Sequence, residues 1–168
     1  EKDSEEKSAK GELRRSHQTR LEFWSDVLET MRKAGLERWQ NINPSRDHWL
    51  NSSVGVSGCS LVLIFVRDEV RVEFQLNRSD ARENKWLFDQ LASEKEHYEQ
   101  VVGEPMEWRR IDDKKVSMMV CKTPVQGYSK ENWPETINWL VEHYQKMDAA
   151  FSEPVRALAA KIPLGGAI

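Results

Sequence analysis

The run "VRVEFQLN", residues 70–77, is the part of this chain whose residue types and spacing come nearest to a catalytic motif. Asp68 lies just upstream, and Glu73 and Gln75 stand two apart, on one face of a strand. Metal-dependent nucleases carry an acidic-x-Lys or acidic-x-Gln pair on such a strand. That chemistry needs carboxylates converging on one divalent ion and a Lys to stabilise charge at the scissile phosphate. Here Asp68 falls in the turn of the same hairpin, Gln75 stands where Lys is usual, and no second strand acid has suitable reach. The alternation of Val70, Val72, Phe74 and Leu76 with Arg71, Glu73, Gln75 and Asn77 explains the polar residues without catalysis. One face meets the core and the other meets water or a ligand. Glu73 then reads as a surface or cross-strand partner for an Arg.

A second candidate is "EWRRIDDKK", residues 107–115. It interleaves Trp108 with Arg109, Arg110, Lys114 and Lys115, a pattern that stacks on bases and pairs with phosphates. Glu107, Asp112 and Asp113 oppose it, and charged hairpin ends are ordinarily just solvated. The histidines at 17, 48, 97 and 143 are scattered without metal-ligand spacing, so each reads as a solvated helix or loop position. Cys59 and Cys121 sit inside apolar segments and read as small buried hydrophobes. Phosphate loops, nucleophile elbows and paired-cysteine redox motifs are missing from the sequence, so no cofactor and no metal is expected.

The elements that must position these residues follow from composition and period. At 168 residues, 39% hydrophobic and 32% charged, the chain has the material for one domain with a real core. Its longest apolar run, "LVLIFV" at 61–66, is stopped by Arg67 and Asp68, far short of the roughly 18 residues of a membrane span. A net charge of −3 supplies no global field for nucleic acid, so such a contact would need a local basic patch. A cytoplasmic setting is expected. Residues 1–15 read as a flexible, solvated lead-in or linker, 16–160 as a single α+β domain and 161–168 as a C-terminal tail. The missing initiator Met points to a chain cut from something longer.

Leu21, Trp24, Leu28 and Met31 recur at three- and four-residue steps and predict a first helix, closed by Gly35. Residues 37–58, dense in Asn, Ser, Pro and Gly, read as a loop with Trp39 and Trp49 packed inward. "CSLVLIFV" and "VRVEFQLN" form an antiparallel hairpin, and "MEWRRI" and "KVSMMVCK" a second one turning at Asp112 and Asp113. Between them Leu87, Phe88, Leu91, Tyr98 and Val102 mark a helix over 84–102. Trp133 to Phe151 holds a helical period over 132–152, and Pro154 is expected to start a separate short helix. The expected fold is α+β, helix-ββ-helix-ββ-helix: a four-stranded antiparallel sheet of two hairpins with helices packed on one face.

Three stretches also carry a family resemblance. "LEFWSDVLETM", "RVEFQLNRSDARENKWLFDQLASEKEHYEQVVGEPMEWRRID" and "NWPETINWLVEHYQKMDAAF" resemble the bacterial and archaeal domain of unknown function 4268, from about Thr19 to Leu158. Most distinctive are the Glu-bearing strand, the Asn-Lys-Trp-Leu-Phe-Asp helix start and the Gly-x-Pro-x-Glu-Trp connection. The resemblance implies a position at the C-terminal end of a longer protein, behind a restriction-endonuclease-like or other DNA-associated domain. It brings no catalytic residue to this chain.

The expectation is therefore a non-catalytic C-terminal interaction module of a larger, DNA-related protein. Trp108, Arg109, Arg110, Arg71, Glu73 and Gln75 are its contact residues toward nucleic acid, or toward an N-terminal nuclease-like domain. A degenerate or cryptic metal-dependent nuclease and a homodimerisation domain are the alternatives. A membrane is not an expected partner.

Overall fold

The computed structural model describes residues 1–163, and residues 164–168 of the expected tail lie outside the described residues. Helix α1 (Lys2–Lys33) buries Phe23, Trp24, Val27, Leu28 and Met31 on one stripe. Each such side chain contributes roughly 1.5–3 kcal/mol through removal of apolar surface from water. The lead-in is exposed over its first ten residues and continues the same helix. Its Glu, Lys and Ala residues favour helix, and Asp3 and Glu5 complement the positive helix start.

Strands β1 (Trp49–Ser53), β2 (Cys59–Phe65) and β3 (Glu69–Leu76) form an antiparallel meander. Helices α2 (Ala81–Ala92) and α3 (Lys95–Val102) lead to a hairpin of β4 (Glu107–Arg109) and β5 (Ser117–Pro124). Helix α4 (Trp133–Ala159) completes the chain. The sheet has five strands in the order β1-β2-β3-β5-β4. Cross-strand partners share a face, so Leu61, Phe74, Met119 and Trp108 form one row beneath the helices. Phe23 of α1 stacks on Phe65 with ring centroids 3.7 Å apart, and Phe151 of α4 lies 5.7 Å from Phe74. Phe88 of α2 meets Trp108 at 6.1 Å, and Tyr98 of α3 meets Phe151 at 4.9 Å. The helices thus cover one face and leave the other open. No helix of the described residues is long and apolar enough to cross a membrane.

The structure corrects the expected elements in four places. The sheet has five strands, because Trp49–Ser53, expected within a loop, pairs along β2 from Trp49↔Ile64 to Ser53↔Ser60. Tertiary pairing decides this strand, since its own residues have little β propensity apart from Trp49 and Leu50. Trp39 packs inward as expected, whereas Trp49 is 40% exposed because it lies on the open face at the sheet edge. The helix expected over 84–102 is two helices, broken where Ser93 Oγ donates to Gln90 O at 2.6 Å and Glu94 N–H donates to Leu91 O at 3.0 Å. Lastly, α4 runs through Pro154. The following turn buries Val155 and Arg156 donates to Val54 O at 3.0 Å, and these contacts offset the hydrogen bond that proline cannot make.

Candidate functional site: the open face of the sheet

Because side chains alternate along a strand, burying Val70, Val72, Phe74 and Leu76 turns Arg71, Glu73 and Gln75 toward the open face. There Arg71 bridges two carboxylates: its Nη1 donates to Glu69 Oε2 at 2.6 Å and its Nε to Glu73 Oε2 at 3.0 Å. Gln75 Nε2 donates to the other oxygen, Glu73 Oε1, at 2.8 Å. Glu73 is only 4% exposed. Burial disfavours the Arg71 charge, and its bonds to Glu69 and Glu73 more than restore it, so the guanidinium is held above its ordinary value.

On the cross-strand neighbours Glu73 faces Val62 and Val120, both buried. These valines with Ile64 and Met118 make an apolar floor. Beyond β5, Glu107 accepts from Lys122 Nζ at 2.7 Å and from Arg109 Nε at 2.8 Å, and these two donors hold its carboxyl below the usual carboxylate range. Val62, Ile64 and Met118 of this floor lie in a groove of about 530 Å³, lined also by Trp49, Asn51, Arg71, Glu73 and Arg109.

Four of the residues singled out from sequence thus come together: Arg71, Glu73, Gln75 and Arg109. Trp108 and Arg110 do not join them. The Trp108 indole points to the helix side, 6.1 Å from Phe88, 6.4 Å from Tyr98 and 5.9 Å from Phe151, so a base on the Arg109 side cannot stack on it. Strand alternation separates these two neighbours. Arg110 lies past the end of β4, where its Nε and Nη2 donate to Asp89 at 2.9 and 3.0 Å and its Nη1 donates to Asp112. Those two carboxylates raise its pKa further.

Metal chemistry finds little footing on this face. Both Glu73 oxygens are taken by Arg71 and Gln75, and its flanking strand positions are valines. Among the described residues, no group of three or more His, Cys, Asp or Glu is placed to hold a metal ion.

Two further polar positions are not legible in sequence. Lys85 Nζ lies 2.5–2.9 Å from Arg110 O, Ile111 O, Val116 O and Ser117 Oγ, closing the β4–β5 turn in which Ile111 adopts φ 55°. His143, expected to be solvated, is 5% exposed on α4. Its Nδ1 lies 2.8 Å from Trp139 O and its Nε2 meets Glu104, because the inner side of the long helix α4 covers the core and sequence spacing alone does not say which polar residues it carries inward.

Compared with known protein families, residues 19–155 match the model described as a domain of unknown function, DUF4268. No curated protein and no solved structure matches the chain.

Proposed function

We propose, for a chain that belongs to the DUF4268 family, a role as a non-catalytic interaction module whose open sheet face holds another protein domain. The carrying observation is that the face pairs its charges internally around an apolar floor: Arg71 with Glu69 and Glu73, and Arg109 and Lys122 with Glu107. A polyanion would have to displace carboxylates from these guanidinium groups, whereas a protein surface can cover Met118 and the exposed Trp49 and pack on the paired charges without breaking a pair. The occupant proposed is the N-terminal, nuclease-like part of a longer DNA-related protein, the setting implied by the family resemblance.

Adjacent methionines test this reading. Met118 lies in the groove and Met119 is fully buried under the helices. Oxidative footprinting should label Met118 faster than Met119 in the chain alone, and Met118 should become protected in the longer protein. Equal labelling of Met118 in both would remove the proposed contact.

A further inference from the structure

The sheet ends in two unlike edges. At one, β4 is three residues long, carries Glu107 and Arg109, and follows Pro105 closely. Short length, charge and proline are the ordinary devices that keep a free edge from pairing. At the other, β1 reads "WLNSS", with neither a charge nor a proline.

Phe65 N–H donates to His48 O at 2.7 Å, which fixes the phase of the β1–β2 ladder. Antiparallel pairs alternate, so Leu50 and Ser52 bond inward to β2 while the N–H and C=O groups of Trp49, Asn51 and Ser53 point away from the sheet. Among the described residues, those outward main-chain groups meet only Ser52 Oγ, 3.4 Å from Ser53 O. Trp49, Asn51 and Ser53 are all exposed, and the short 3-10 helix Glu37–Trp39, which packs beside β1, makes no hydrogen bond to those outward groups.

From this geometry we propose that β1 pairs antiparallel with β1 of a second copy, across a twofold axis at Asn51. Asn51 then faces Asn51 of the second copy, and Trp49 faces Ser53 of the second copy. Each facing pair exchanges two main-chain hydrogen bonds. The side chains are self-complementary: the bulky indole lies opposite a small serine, and the two amides hydrogen-bond to each other on the axis. An uncharged strand meets its own copy without like-charge repulsion, and the blunted β4 edge closes the assembly at two copies. The two open faces become one continuous surface, so this pairing adjoins the domain contact proposed above: it shares the Trp49 and Asn51 side chains with that groove, while its main-chain hydrogen bonds are its own.

The test is sedimentation equilibrium of the 168-residue chain up to about 1 mM. A concentration-dependent dimer is expected. Asn51→Lys sets two like charges on the axis, and Asn51→Pro removes an outward N–H that the chain's own sheet does not use. Each should raise the dimer dissociation constant at least about tenfold. Amide exchange at Asn51 in the unsubstituted chain should slow with concentration, a readout that needs no variant. A chain that stays monomeric at every concentration, or a dimer that both substitutions leave unchanged, overturns the proposal.

Discussion

Arg71 Nε donates to Glu73 Oε2 across 3.0 Å, from a side chain 24% exposed to one only 5% exposed. A carboxylate so enclosed on the helix-free side of a sheet is held by its neighbours, and its neutralisation leaves the part-buried Arg71 guanidinium with Glu69 as its remaining carboxylate partner.

Glu73→Gln should therefore lower stability by about 1–3 kcal/mol, more than the roughly 0–1 kcal/mol of a solvated pair. Urea unfolding with an unchanged denaturant slope measures it. A loss under about 0.5 kcal/mol would place Glu73 among ordinary surface residues.

Lys85→Met should free the carbonyls of Arg110, Ile111 and Val116, which Lys85 Nζ now contacts at 2.5–2.9 Å. A cost of about 1–3 kcal/mol is expected, with faster amide exchange confined to the β4–β5 turn. Unchanged exchange there would show that the turn holds itself.

Nucleic acid should bind weakly or not at all. In anisotropy titrations at two salt concentrations, the logarithm of affinity should hardly depend on the logarithm of salt, since Arg71, Arg109 and Arg110 are each paired with carboxylates. A slope steeper than about −2, flattened by replacing Arg109 and Arg110 with Ala, would reverse the preference for a protein partner.

Gly58 and Gly35 separate steric clash from backbone strain. Both have positive φ, +79° and +73°, but a Cβ on Gly58 would lie 2.5 Å from Arg78 Cα while one on Gly35 meets nothing within 4 Å. Gly35→Ala should cost about 1–2 kcal/mol and Gly58→Ala distinctly more, or prevent folding. Equal losses in thermal unfolding would mean that the Arg78 backbone yields freely.

Burial pushes the thiols of Cys59 and Cys121 up to about 11 and about 12, from an ordinary value near 9. Above about pH 9 the unfolded chain releases these protons while the folded chain keeps them. Their contribution to stability is thus fully present below pH 9 and falls as pH rises toward 11. Denaturant titrations of the chain and of a Cys59→Ala, Cys121→Ala double variant should diverge in that window, and parallel curves would contradict the burial.

The sequence by itself determined the elements whose burial is periodic. Phe23 to Met31, the alternation from Val70 to Leu76 and the stripe from Trp133 to Phe151 each carry their own apolar face, so the 3.6- and 2-residue periods are written in the residues. Tertiary structure decided the rest. β1 is a strand because β2 offers it a ladder, and α4 passes Pro154 because the next turn has a core to bury. The candidate site divides in the same way. Alternation alone aims Glu73 and Gln75 to the face opposite Phe74, but it does not say which face the helices cover, nor that β4 turns Trp108 inward and leaves Arg109 beside Glu107. Those outcomes depend on cross-strand neighbours distant in sequence, and a single strand's pattern does not name its neighbours.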